Sequence, residues 1–300
     1  MKSEGRDNVN RQTLLLDGIQ TKVEQRLARW ERTGFGRALW EKNYRLWSAQ
    51  PAPEITDRLG WLTLPQTMQA HTAELMAFAV EIRGEGFRHV VLLGMGGSSL
   101  APEVFQQTLG NASGYPELLV LDSTHPAAVR ALDAKVNLAR TLFVVSSKSG
   151  TTQETLSFYR HFWKRVGEKN TTAGRPFVAI TDAGTPLETL ARERGFRRCF
   201  LATPDVGGRY SALTFFGLVP AALIGADVPR LLNRAQAMAG ACAASAHVTE
   251  NPGLMLGAAL GELALAGYDK ATFLASPSLA AFPAWAERSE ERRVGKECRL

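Results

Sequence analysis

The sequence predicts an α/β fold, a doubly wound parallel sheet preceded by helices. Two observations carry this. Five short apolar runs recur between residues 89 and 202, and each leads into a polar turn. The stretches between them mostly show helical patterns. Continuous apolar strands alternating with helices belong to a parallel sheet covered on both faces, whose ligands sit outside the carboxyl ends of the strands.

Taken in order, Leu14, Leu15, Ile19, Val23, Leu27 and Trp30 fall at helical spacing among charges and predict an amphipathic helix over residues 10–32. A short helix follows near 36–47, then the loop Pro51-Ala52-Pro53. A further helix is predicted over 66–83, ended by Gly84 and Gly86. The predicted strands are 89–93, 117–121, 141–145, 177–180 and 199–202. Residues 211–267 return to helices, and Ala271-Thr272-Phe273-Leu274-Ala275 reads as one more strand. From Glu287 the chain is nearly all charge, with little to pack, and is expected to be solvated or disordered. This gives a helical preface over 1–65, a sheet domain over 66–226, helices with a first strand over 227–286, and a charged tail over 287–300.

Composition narrows the function. Of the 300 residues, 45% are hydrophobic and 21% charged, enough apolar material for a real core, with a net charge of +6. No basic block marks a nucleic-acid arm, so nucleic acid is not an expected partner. No stretch reaches the roughly 18–20 apolar residues of a membrane span, and no apolar run follows the first residues, so no signal peptide is expected. Cys199, Cys242 and Cys298 are far apart and form no CxxC pair, which indicates neither a zinc site nor a disulfide framework. A reducing cytoplasm is the simplest setting. The histidines at 71, 89, 125, 161 and 247 show no metal spacing, and neither GxSxG nor a Ser–His–Asp pattern is present.

Three turns carry chemistry. The first strand runs into Gly94-Met95-Gly96-Gly97-Ser98-Ser99, with a helix starting near Leu100. Glycines admit a ligand close to the backbone, and the helix start offers unpaired N–H groups and a positive dipole end, so this is an anion cradle. It is neither a GxGxxG fingerprint, since Ser99 holds the third glycine position, nor a Walker loop. A plain serine-capped turn explains it equally well when it is taken alone. The third strand ends in Ser146-Ser147-Lys148-Ser149-Gly150-Thr151-Thr152 before a helix from Gln153. Thr151 and Glu154 fit a capping box. Capping does not explain five hydroxyls, a lysine and a glycine with no acid among them, a set suited to surrounding a phosphate. The fifth strand leads into Asp205-Val206-Gly207-Gly208-Arg209-Tyr210-Ser211. Taken alone this reads better as a surface arginine beside a flexible turn, but together with the other two turns it is expected to put a fixed cation on the binding edge. Asp122 and Asp182, also at strand ends, are expected to be helix caps.

In this order, Gly94-Met95-Gly96-Gly97-Ser98-Ser99-Leu100, Ser147-Lys148-Ser149-Gly150-Thr151-Thr152 and Gly207-Gly208-Arg209-Tyr210-Ser211 resemble the sugar-isomerase (SIS) fold of the phosphoglucose isomerase family. The likeness covers most of residues 35–286. It is closest to the isomerase half of bifunctional transaldolase/phosphoglucose isomerases. The resemblance implies that 66–226 is a first SIS domain, and 227–286 the start of a second that is cut short. It implies that Gly97, Ser98, Ser147, Lys148, Ser149 and Thr152 line a phosphosugar site, with Ser147, Ser149 and Thr152 on the phosphate. It also implies that Arg209 stabilises a cis-enediolate during proton transfer between C1 and C2. A guanidinium that stays charged suits that role, and the reaction needs no metal or redox cofactor. The implied partner is a hexose 6-phosphate, in a homodimeric cytoplasmic enzyme of carbohydrate metabolism.

One departure stands out. In the family a Glu-Ser-x-Gly-Lys segment carrying the general base follows the strand that Thr272-Phe273-Leu274-Ala275-Ser276-Pro277 resembles. Here Val294-Gly295-Lys296-Glu297 is a poor echo of it, and the later histidine and lysine regions are missing. The chain is therefore expected to bind weakly and turn over poorly or not at all; robust activity would mean that another carboxylate, such as Glu290 or Glu291, fills the role. A non-catalytic SIS module that binds a phosphosugar is the alternative. A nucleotide-dependent oxidoreductase is disfavoured by Ser99.

Overall fold

The computed structural model describes residues 12–167 and 172–290. Five strands form one sheet: β1 His89–Gly94, β2 Glu117–Leu121, β3 Thr141–Ser146, β4 Phe177–Asp182 and β5 Arg198–Ala202. Their order is β2-β1-β3-β4-β5, and all pairings are parallel, with Leu92 beside both Val120 and Val144. The five strands expected between residues 89 and 202 are all present, each within two residues of its predicted end. The helices are α1 Gln20–Thr33, α2 Phe35–Trp40, α3 Leu64–Thr67, α4 Thr72–Gly84, α5 Leu100–Leu109, α6 Pro126–Lys135, α7 Gln153–Val166, α8 Pro186–Glu193, α9 Phe215–Leu223, α10 Val228–Ala241, α11 Pro252–Leu265 and α12 Phe282–Glu290.

Alternate side chains along each strand point to opposite faces, so a continuous apolar run feeds two cores. Val91, Leu93, Phe143, Val145, Phe177 and Ala179 join Leu132 of α6, Phe158, Phe162 and Trp163 of α7, and Leu187 and Ala191 of α8. The intervening residues, Val90, Leu92, Leu142, Val144, Val178 and Ile180, are fully buried as well. On their side Phe78 of α4 meets Phe200 edge-on at 5.3 Å, and Phe200 meets Phe215 of α9 at 5.3 Å. Every residue of α9 is buried. Helices thus cover both faces, as the apolar strands require.

Compact packing divides the chain into Met1–Gln66 with Arg230–Phe273, and Thr67–Pro229 with Leu274–Leu300. The second unit holds the sheet. In the first, Ile19, Val23, Leu27, Val248, Leu254 and Ala258 form a small core. Arg26 donates to Glu262 at 2.6 Å, and the Trp40 indole N–H donates to the Cys242 carbonyl at 2.7 Å.

Some expectations are corrected. The first amphipathic helix begins at Gln20 rather than at residue 10. The run 271–275 forms no strand; Phe273 is 50% and Leu274 97% exposed. Propensity alone does not make a strand, because its backbone groups need a neighbouring strand. The predicted tail begins inside α12, which carries Glu287 to Glu290, while residues 291–300 lie outside the described residues.

Two measurements test this packing. Phe143, fully buried, stacks on Phe162 at 4.7 Å and on Phe177 at 5.1 Å. Phe143→Ala is expected to cost about 3–5 kcal/mol in urea unfolding. Arg197 donates to Glu81 at 2.7 Å and to both oxygens of Glu85 at 2.6 and 2.8 Å. The hydrogen bond from Arg197, partly opposed by desolvation and helped by the charges of Arg197 and Arg175, holds Glu85 below the usual carboxylate range. Its contribution is therefore present above the unfolded value of about 4.3 and is lost as pH falls through the lower folded value. Unfolding at pH 6 and pH 3 should show a smaller acid loss for Glu85→Gln than for the parent.

Candidate functional site

The sheet order dictates where a ligand can sit. After β1 the chain crosses to β2 on one side, and after β3 it crosses to β4 on the other. The two following loops therefore part, and a crevice opens between them at the carboxyl ends of the strands. These are the loops that carry the glycines and the hydroxyls.

The β1 loop is a 3-10 turn over Gly96–Ser98 leading into α5. Gly96 has φ of 57°, a left-handed conformation that favours glycine. Ser99 is fully buried and donates its hydroxyl to the Gly96 carbonyl at 3.0 Å, so it braces the turn. Ser98 is partly exposed, and its hydroxyl has no protein partner among the described residues. A Cβ added to Gly97 would overlap the carbonyl oxygen of Gly208. The β1 loop and the arginine loop thus lie backbone against backbone, 111 positions apart in sequence.

The β3 loop is fixed by pairs of hydroxyls. Ser147 Oγ lies 2.9 Å from Thr152 Oγ1, and Ser149 Oγ 2.9 Å from Thr151 Oγ1. Each pair shares one proton and keeps a second O–H to donate elsewhere. Ser147 is buried while Thr152 is partly exposed, so Thr152 is the member of the pair that solvent reaches. Gly150, with φ of 66°, has no room for a Cβ, which would sit 2.8 Å from Thr185 Cβ and 2.9 Å from the Leu187 nitrogen. Ser146 donates to the Ser98 carbonyl at 3.5 Å, a long bond that joins the first two loops.

The capping box is corrected. Thr152, not Thr151, is the N-cap of α7, and its side chain makes no capping bond because it faces Ser147. The first amides of α7 are consequently left without a side-chain partner from the cap, beside a ring of hydroxyls, which suits an anion. Asp122 and Asp182 are not caps either. His125 caps α6 and Thr185 caps α8. Asp182 instead pairs with Lys148, whose ammonium also donates to the Pro204 carbonyl at 3.2 Å. Sequence reading missed that pair, since 34 residues separate its members and no local signal links them.

Arg209 follows Gly208 in a 3-10 turn over Gly208–Leu213, held by Ser211 Oγ donating to the Gly208 carbonyl at 2.6 Å. Its side chain is partly exposed and makes no hydrogen bond or ion pair among the described residues. Gly97 and Ser98, the β3 loop and the Arg209 loop are therefore drawn together at the strand tips through backbone contact, Ser146 and Lys148. A groove of about 300 Å³ lies elsewhere, along the flanks of α7 and α8, and reaches these loops only at Gly150.

Other chemistry finds less support here. Among the described residues, no group of three or more His, Cys, Asp or Glu side chains is placed to hold a metal ion, and no helix is long and apolar enough to cross a membrane. Burial, then the Glu188 charge, pushes the Cys199 thiol up to about 11. It stays protonated at neutral pH and is a poor nucleophile.

Comparison with known proteins agrees with this architecture. The model of the phosphoglucose isomerase family matches residues 65–298. The glucose-6-phosphate isomerase of Carboxydothermus hydrogenoformans is 36% identical over 207 residues, covering 65% of this chain and 44% of that protein. That of Prochlorococcus marinus is 32% identical over 219 residues, covering 72% and 41%. The chain thus spans less than half the length of these relatives. The crystal structure of a hypothetical protein from Thermus thermophilus superposes with a TM-score of 0.72 at 28% identity, over 90% of this chain and 62% of that one. A glucose-6-phosphate isomerase from Chlamydia trachomatis gives 0.69 at 20% identity, over 90% and 56%, a likeness of fold alone. A parallel sheet with the glycine, hydroxyl and arginine loops at its tips, matched by the family model over most of its length, makes this chain a member of the phosphoglucose isomerase family.

Proposed function

We propose that the chain binds a hexose 6-phosphate at these strand tips and supplies the phosphate-binding half of a glucose-6-phosphate isomerase. The observation that carries this reading is the joining of all three motif loops, with Gly97 against Gly208, Ser146 on Ser98 and Lys148 on Pro204. Ser149, Thr152 and the α7 amides hold the phosphate, and Ser147 orients Thr152. Gly97 and Ser98 border the sugar. Arg209, with no protein partner among the described residues, stabilises the oxyanion of the cis-enediolate as a proton moves between C1 and C2.

The general base belongs to the Glu-Ser-x-Gly-Lys segment that the family resemblance implies, and the 300 residues contain no such segment. The chain assayed alone should therefore bind and turn over poorly. Residues 227–286 fit the start of a second SIS domain. The motifs fit best the isomerase half of a bifunctional transaldolase/phosphoglucose isomerase, working as a cytoplasmic homodimer.

Calorimetry with fructose 6-phosphate, fructose and inorganic phosphate tests the reading. The sugar phosphate should bind and fructose should not; equal binding of both would refute a phosphate site. Thr152→Ala should weaken both phosphate-bearing ligands about tenfold, the loss of one charge-assisted hydrogen bond. Gly97→Ala, which must push the β1 and Arg209 loops apart, should weaken fructose 6-phosphate at least tenfold; unchanged affinity would show that the close approach does not matter. Arg209→Met should leave phosphate binding intact. With a polypeptide carrying the remaining half of the isomerase supplied, that variant should lower turnover by about 100-fold or more. Absence of turnover in the parent under those conditions would favour a phosphosugar-binding regulatory module.

A further inference from the structure

The Lys148 side chain is the one cation of the hydroxyl loop, yet it is not presented to the crevice as a free charge. Its ammonium pairs with Asp182 at the tip of β4, with the two side chains 22% and 16% exposed. A second donor goes to the Pro204 carbonyl at 3.2 Å. The main chain of the same residue is held too. The Lys148 carbonyl accepts from the Asp182 N–H at 3.2 Å and from Thr181 Oγ1 at 3.3 Å. Pro204 lies between the end of β5 and the Gly207-Gly208-Arg209 turn. One side chain thus spans three strand tips, from the hydroxyl loop after β3, through a carboxylate on β4, to the loop that carries Arg209.

We infer that Asp182 is a positioning residue. It holds Lys148 as a strut that fixes the spacing between the hydroxyl loop and the Arg209 loop. The inference rests on the phosphosugar reading for its consequence, but the strut itself belongs to the ligand-free chain. The physical case is one of matching donors to acceptors. An ammonium has three donors, and two are committed to protein oxygens. A largely buried ion pair is costly to break from one side only, because the remaining charge loses its partner. Lys148 therefore stays with Asp182 and ties down the Pro204 carbonyl. A ligand that touches only the hydroxyl loop is indifferent to that tie. A ligand that must touch the hydroxyls and Arg209 together depends on it.

Backbone hydrogen exchange in the ligand-free chain tests the strut directly. The Tyr210 amide donates to the Gly207 carbonyl at 2.9 Å and reports on the arginine turn. Asp182→Asn should speed its exchange at least tenfold while β3 and β4 amides stay as protected as before. Lys148→Met should do the same, and the double variant should add little to either, since both remove one interaction. Unchanged exchange at Tyr210, additive effects, or a uniform loss of protection across the sheet would each overturn the inference. In binding, Asp182→Asn should weaken fructose 6-phosphate at least tenfold and inorganic phosphate less than twofold. If Lys148→Met weakens inorganic phosphate tenfold and Asp182→Asn does not, Lys148 is a phosphate ligand and the strut is wrong. If the parent binds neither compound, the proposed function fails while the exchange experiment still decides the strut.

Discussion

The architecture of the candidate site depends on two stretches of bare backbone touching. Gly97 and Gly208 come so close that a methyl group on Gly97 would overlap the Gly208 carbonyl. This contact brings the turn after the first strand against the turn after the last, across the width of β3 and β4. No side-chain interaction substitutes for it, because any side chain at Gly97 would occupy the space. The parallel sheet supplies the platform, and the crossover reversal between β1 and β3 supplies the opening. Without the glycine contact, the turn after β1 and the arginine turn after β5 would stand apart, with the ends of β3 and β4 between them.

Around that contact, polar groups are satisfied in a way that leaves specific donors available. Ser99 and Ser211 each turn back onto their own loop, at Gly96 and Gly208. Ser147 and Thr152 pair, as do Ser149 and Thr151. The motifs thus hold both hydroxyls that brace the backbone and hydroxyls that retain a spare proton. The dense run of serine and threonine serves two purposes, and only some of its members keep a donor free.

Much of the fold was legible because the apolar runs at 89–93, 117–121, 141–145, 177–180 and 199–202 have no alternative but a sheet buried on both faces. Their helices followed from spacing. The run at 271–275 misled because it has the composition of a strand but no neighbour to pair with, and pairing is a property of the whole molecule. Local chemistry misled similarly at the caps. Thr151 with Glu154 matches a capping pattern, yet a hydroxyl neighbour five residues back captured Thr152 and shifted the helix start. The motif loops were recognisable from their glycines and hydroxyls. That Lys148 is committed to Asp182 and Pro204 was not, because each partner is far along the chain.

The start of α7 has a wider consequence. Its cap residue turns its hydroxyl away, so a fourteen-residue helix that buries Phe158, Phe162 and Trp163 in the main core begins without the usual side-chain brace. An anion seated there would supply the missing acceptor and oppose the dipole. Occupancy and rigidity are then linked by mass action. Were the proposed phosphosugar to seat there, resistance to unfolding would rise with its concentration, and metabolite supply would help set how long the folded chain lasts.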